Sequence, residues 1–295
     1  MRKRLCIALF LPLLLTGCGS DVIADRVYTQ AIALRQSGDE ISLSLQSFGA
    51  EDVRTVNAGT LPLALKLEEA AAGGRVFVGH TELLCLDGTA PPTLAKELFF
   101  TQSLSPACKV IYAPAGFLQK ADSSAVIHTI RMAERNALLT ETDLADALDD
   151  WAGAYRTALL PSPRGESLPE LTLLRDDGTA HTLSDAAARG MFWLRKPPRK
   201  SEITVDGETY PVSGVTCQSC LSDGVPLLTI RLKADGADVD ACAAIEAAIR
   251  SDCEAAAEAL FQANADVIGI ESLYERERQP LPEQVPLAEI TVEVR

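Results

Sequence analysis

The feature that most constrains this chain is a short apolar run that ends at a cysteine. Met1-Arg2-Lys3-Arg4 supplies a positive segment, residues 5–15 form an apolar stretch, and Thr16 and Gly17 follow as a small pair directly before Cys18. The stretch has the length of a signal-peptide core. It is too short to span a bilayer, which takes roughly 20 apolar residues. Residues 1–17 therefore read as a leader that is removed, and the body is expected to fold outside the cytoplasm.

Leu15-Thr16-Gly17-Cys18 resembles a bacterial lipobox. A cysteine at the cleavage point, in place of a small-x-small site, implies a thioether-linked diacylglycerol on Cys18, which becomes the first residue of the mature chain. Two or more acyl chains hold a protein stably where one is marginal. No later stretch reaches 18 apolar residues, so Cys18 is the expected membrane attachment.

The passenger reads as globular. Hydrophobic residues make up 47% of the 295 and charged ones 23%, enough apolar side chain for a sizeable core in two domains or three small ones. The formal net charge is −14, and it becomes more negative once Arg2, Lys3 and Arg4 leave with the leader. Phosphate backbones need a basic face, so nucleic acid is excluded as a partner.

Of eight cysteines, Cys6 leaves with the leader and Cys18 takes lipid. Export permits disulfides among Cys85, Cys108, Cys217, Cys220, Cys242 and Cys253 without requiring them. Cys217-Gln-Ser-Cys220 is the tightest pair, and three readings stay open: packed free thiols, a structural disulfide, or redox or zinc chemistry. No clear helix follows to depress the thiol pKa, and no second CxxC or His pair stands at zinc-ligand spacing. Cys242 and Cys253, eleven residues apart on one expected helix, lie about three turns apart and cannot bridge.

Alternation at Ile41, Leu43 and Leu45 against Ser42, Ser44 and Gln46 predicts a half-buried strand, paired with residues 27–34 as a hairpin. Residues 49–59 read as a loop, and Thr60 as the N-cap of a helix to about Ala72, with Leu61, Leu65 and Leu67 inward and Gly73-Gly74 ending it. A strand is expected to run from Arg75 through His80 to Leu86. Residues 93–100 then read as helix and 109–113 as strand. One helix is expected from Asp122, with Ser123 or Ser124 available as cap, to about Ala137, with Val126, Ile130 and Ala133 inward. Another is expected over 141–159, capped by Thr140 or Thr142, with Leu144, Leu148, Trp151 and Tyr155 on one stripe.

Residues 161–168, with two prolines and no period, read as a linker between an N-terminal domain (18–160) and a C-terminal one (169–295). Beyond it come a strand at 171–174, a short helix over 183–189 stopped by Gly190, strands at 191–194, 203–205, 210–217 and 227–232, a long helix over 239–263, a loop from Asp266, and a last strand at 290–294.

This order of features resembles the Ger(x)C family, the C-subunit lipoproteins of spore germinant receptors. The segments that carry the resemblance are Val76-Phe77-Val78-Gly79-His80-Thr81-Glu82-Leu83-Leu84, Ala186-Ala187-Ala188-Arg189-Gly190-Met191-Phe192-Trp193-Leu194 and Asp266-Val267-Ile268-Gly269-Ile270, met in family order over most of the chain. The chain departs from the pattern in having Gly19-Ser20-Asp21 after the cysteine, in its shortness, and in lacking a late tryptophan stretch. The resemblance implies an α+β fold of mixed β-sheets packed with helices in small domains. It also implies a non-catalytic role beside two integral membrane receptor subunits, at the spore inner membrane or cell membrane.

For catalysis, His80, His128 and His181 sit in separate settings, and no Gly-x-Ser-x-Gly, HExxH or Walker loop occurs. His80 reads as a hydrogen-bonded residue holding a turn, and Asp143, Asp146, Asp149 and Asp150 as a solvated helix face. Neither cofactor nor metal is expected. A solute-binding lipoprotein of a transporter is the alternative, though its repeated strand-helix alternation is poor in the second half.

Overall fold

The computed structural model describes residues 26–136, 138–164 and 167–295; the leader, Cys18 and Ala137 lie outside them. The fold is α+β, as expected, with three sheets among the described residues. The first has strand order β3-β2-β1-β5-β6, made of β1 (Arg26–Ser37), β2 (Glu40–Ser47), β3 (Val53–Ala58), β5 (Leu83–Asp87) and β6 (Lys109–Ala113), with β4 (Arg75–Phe77) also on β1. Its β1–β5 and β5–β6 pairs are parallel. Parallel strands are usually covered on both faces and read as continuous apolar runs. Here Ala31, Ala33, Leu83, Cys85 and Ile111 enter one core, while Ile32, Leu34, Leu84, Leu86 and Val110 enter another.

That double burial corrects the half-buried reading of β2. Ser42, Ser44 and Gln46 are buried too, and Ser44 Oγ lies 2.9 Å from Thr55 Oγ1 and accepts from Gln119 Nε2 at 2.8 Å. Thr55 belongs to β3, which runs where a loop was expected. Its polar sequence hides a strand that pairs Val53 to Ala58 with β2.

The helices α1 (Leu61–Ala72), α2 (Pro92–Gln102) and α4 (Leu144–Ala152) supply the second core, and α3 (Ser123–Arg135) faces the first. Thr60 caps α1, accepting from Leu63 N at 3.4 Å, and Gly73 ends it with φ 68°. Leu67, expected inward, is exposed. Asp122 rather than either serine caps α3, and Asp143 with Asp146 forms a capping box on α4 in place of Thr140 or Thr142. The expected helix over 141–159 stops at Ala152. Gly153 breaks it, and Thr157 to Arg164 form β7.

The segment read as a linker is also structured. β7 (Thr157–Arg164) pairs with β8 (Ser167–Arg175), which pairs with β9 (Ala180–Thr182); Gly165 and Glu166 lie outside the described residues. A register shift between Ser162 and Arg164 accommodates Pro163, since a proline cannot serve an unbroken ladder.

Next, α5 (Asp185–Leu194) is one helix where a helix stop and a strand were expected, with Gly190 inside it. A Cβ at Gly190 would stand 2.1 Å from Asp252 O, so the glycine exists to let α5 touch α6 (Val239–Ala263). Arg189 clamps the crossing through Asp252, Nε and Nη2 donating at 2.9 and 2.8 Å. The third sheet has order β10-β11-β12-β13, formed by β10 (Lys200–Val205), β11 (Glu208–Ser222), β12 (Val225–Ala234) and β13 (Glu289–Val294). A short helix, α7 (Ile270–Arg276), stands where a loop was expected, and the Asp266 carboxylate accepts from the N–H groups of Ile270 and Glu271 at its start.

Gly190→Ala is expected to force α5 from α6 and lower unfolding stability by about 2 kcal/mol, the usual cost of overpacking a tight contact. Urea denaturation checks this; an unchanged midpoint would contradict the close-contact role.

Candidate functional site

The residues 76–84 build a compact ring cluster at the start of β1. There β1 changes neighbour, pairing with β4 through Arg26, Val27 and Tyr28 and with β5 from Ala31 onward. The chain bridges the change with a turn: Thr81 N donates to Val78 O at 3.0 Å, Thr81 Oγ1 to Thr29 O at 3.4 Å, and Glu82 N to Gln30 O at 2.9 Å. His80 therefore sits exposed in a turn, not on a strand as expected.

Its ring lies 6.1 Å from Tyr28 at 19° and 5.2 Å from Phe77 at 66°, and Tyr28 meets Phe77 edge-on at 5.5 Å. The Arg26 guanidinium covers the Phe77 ring at 5.2 Å. Such ring pairs contribute about 0.5–1.5 kcal/mol each beyond area burial. Gly79 makes the arrangement feasible, because a Cβ there would stand 2.8 Å from the Phe77 ring. Phe48, 46% exposed, hangs beside the cluster through its N–H to Tyr28 O at 3.0 Å. The cluster has the chemistry of a contact surface: rings and a cation, with no nucleophile set against a base.

The thiols are quiet. Cys85, Cys108 and Cys253 are buried, and burial pushes each well up from the ordinary thiol range; Cys217 is pushed up to about 11 by burial alone. Cys217 and Cys220 pair across β11–β12 with Ile230 and Leu227. Three residues apart on an extended strand, they point to opposite faces with Cα atoms about 10 Å apart, beyond the roughly 7 Å a disulfide allows. They are free cysteines, which corrects the disulfide reading. Cys18, the lipidation candidate, is outside the described residues.

His128 on α3 and His181 on β9 are exposed. Among the described residues no group of three or more His, Cys, Asp or Glu could hold a metal ion, and no helix is long and apolar enough to cross a membrane.

Sequence reasoning missed a crevice of about 380 Å³ between α4 and α7, lined by Asp149, Asp150, Arg195, Asp266, Glu271 and Glu275. Its acids hold the fold. Both Asp266 oxygens take backbone N–H groups, Oδ1 from Ile268, Gly269 and Ile270 and Oδ2 from Glu271, while Glu271 Oε2 accepts from Ala154 N at 2.7 Å. Asp150 is an ion pair with Arg195 at 2.8 Å, both side chains largely buried, so it is not the solvated residue the sequence suggested. Burial outweighs the guanidinium, and the Asp150 carboxyl is pushed up to about 6.

The described residues also form two grooves of about 630 and 650 Å³. Ile111, Phe117, Val126, Pro161 and Pro163 line the first, and Leu139, Phe192, Trp193, Ile203 and Ala248 the second; Pro169 belongs to both.

The sequence matches no protein-family model and no curated protein. Among solved structures, the chain is similar to the one described as the crystal structure of the GerBC protein. The match has 10% identity over 89% of this chain and 96% of that one, with a TM-score of 0.49. An identity that low assigns neither activity nor partner to this chain.

The folded state holds the Asp150 proton more tightly than the unfolded chain does. This group's contribution to stability is therefore full below about 4 and lost as pH rises to about 6. Asp150→Asn is expected to flatten the stability profile across that window, read by thermal unfolding at pH 4 to 7. An unaltered slope would contradict the assignment.

Proposed function

We propose that the chain is a lipid-anchored, non-catalytic subunit of a spore germinant receptor, held outside the cytoplasm beside two integral membrane subunits. The support is the ordered run of Ger(x)C-like segments behind a lipobox. The observation that carries most weight is that each segment does a defined structural job. Gly79 and His80 complete the ring cluster, Gly190 seats α5 on α6, and the Asp266 carboxylate takes the N–H groups at the start of α7. Sequence patterns that specify three separate joints in one order are hard to meet by chance.

The mechanism is confinement. Acyl chains on Cys18 keep the folded body near the bilayer and raise its effective concentration at the partner subunits. Arg26 stands eight positions after Cys18, a reach of at most about 28 Å at roughly 3.5 Å per step. The ring cluster around Tyr28 would therefore stay close to the membrane face. The solute-binding alternative shares the anchor. It needs repeated strand-helix alternation in both lobes, whereas β10, β11 and β12 follow one another with no helix between them.

Expressed in a spore-forming bacterium, the protein is expected in the membrane fraction, with a mature N-terminus at Cys18 carrying fatty acyl mass. It should co-purify in mild detergent with two multi-span proteins, and Cys18→Ala should release it. Mass spectrometry that finds an intact leader or an unmodified cysteine, or a purification that yields the chain without multi-span partners, would overturn the proposal.

A further inference from the structure

The third sheet ends in an open strand beside an apolar groove. Among the described residues β10 pairs only with β11. The two strands join through Asp206 and Gly207, both at positive φ (53° and 85°), the two-residue hairpin turn. In that geometry the flanking pair, Val205 with Glu208, exchanges hydrogen bonds, and bonded and non-bonded pairs then alternate along the ladder. Ile203 and Ser201 are thus bonded to β11, while Thr204, Glu202 and Lys200 aim their backbone N–H and C=O groups away from it.

Two details agree with this phase. Thr204 Oγ1 and Thr209 Oγ1 approach to 2.8 Å, the close side-chain contact of a non-bonded pair. Pro211, which has no N–H, stands opposite Glu202, where β11 has no hydrogen bond to give β10. The outward row therefore offers three donors and three acceptors.

The same strand lines the 650 Å³ groove through Glu202, Ile203 and Thr204, together with Leu138, Leu139, Phe192, Trp193 and Ala248. Leu138 is 60% exposed there. An open ladder selects an extended backbone, whereas a groove without one would suit any apolar body. Side chains set the pattern. Lys200 and Glu202 are exposed on one face of β10, and Ser201 and Ile203 are half-buried on the other, from which Ile203 lines the groove.

We infer that β10 and this groove take an extended segment of a partner protein by strand addition. The segment is acidic opposite Lys200, basic opposite Glu202 and apolar at the positions between. The inference rests on the reading of the chain as a partner-bound subunit and names the surface that meets the partner. Charge complementarity decides the register: opposite charges directly across a ladder attract, and like charges repel.

The test uses the mature chain and a blocked synthetic peptide, Thr-Val-Lys-Val-Glu, antiparallel to β10, with Thr-Val-Glu-Val-Lys as its charge-reversed control. The first peptide is expected to bind about tenfold more tightly and to slow amide exchange at Lys200, Glu202 and Thr204. Glu202→Pro removes one outward N–H and no bond to β11, since a proline is tolerated on an edge where its nitrogen faces solvent. It should weaken binding more than Glu202→Gln, which removes the charge and keeps the N–H; unchanged exchange at Ser201 and Ile203 shows that β10 is intact. Ala248→Trp, filling the groove from a helix, should abolish binding without touching the strand.

Equal binding of the two peptides, or indifference to both Glu202→Pro and Ala248→Trp, would overturn the inference. So would self-association that Lys200→Glu abolishes and the Lys200→Glu/Glu202→Lys double variant restores, because a second copy would then own the edge. Should the chain prove to have no multi-span partners, the peptide result would stand by itself, so failure of the receptor reading and failure of this surface are separable.

Discussion

The β7–β8 hairpin is the constraint on which the rest of the structure depends. Alternate residues on a strand face opposite ways, and this hairpin uses both. Leu159, Leu171 and Leu173 enter the core that runs from Ala31 to Val292, while Ala158, Leu160 and Leu174 enter the core under α1, α2 and α4. Trp151 is fixed to the hairpin as well, its indole N–H donating to Leu174 O at 2.9 Å. A chain with a loose joint at this point would be two bodies. With both faces of the hairpin buried, the halves share apolar surface at about 25 cal/mol per Å² removed from water.

Ion pairs reinforce that seam at several places. Asp146 takes Lys196 at 2.9 Å and Asp150 takes Arg195, joining α4 to the end of α5. Farther along, Glu271 accepts from Ala154 N and the Tyr155 hydroxyl donates to Pro282 O at 2.8 Å. The acids that make the chain so negative are therefore partly structural. The buried pair among them, Asp150 with Arg195, adds little net stability but costs much when one partner is lost, and together these contacts fix how the halves meet.

Much of the fold was legible wherever the apolar period was clean. The long helix over 239–263 appears with those bounds, because Ile245, Ile249, Cys253, Ala256 and Leu260 repeat at helical spacing without a breaker. The β1–β2 hairpin was equally plain. The failures have physical causes. Pro161 and Pro163 look like breakers, yet Pro161 stands in register opposite Leu171 and a shift between Ser162 and Arg164 takes up Pro163. Leu159 continues a helical stripe by spacing alone, and only Gly153 marks the true end. Gly190 resembles a helix stop because sequence does not show a second helix pressing on it.

The candidate site was legible as a motif but not as an object. Gly79 next to His80 drew notice, but the reason for the glycine is a ring two residues earlier, which only packing reveals. The cysteine pair drew equal notice and dissolved, since a strand separates what a turn would have joined.

The chain's two tryptophans test the central claim most directly, for Trp151 lies in one core and Trp193 in the other. Urea unfolding followed by fluorescence in Trp193→Phe, which reports Trp151, and in Trp151→Phe, which reports Trp193, compares the halves. Once each curve is corrected for the stability lost in its own variant by circular dichroism, the account predicts coincident transitions. Two separate midpoints, one for each half, would contradict a shared core.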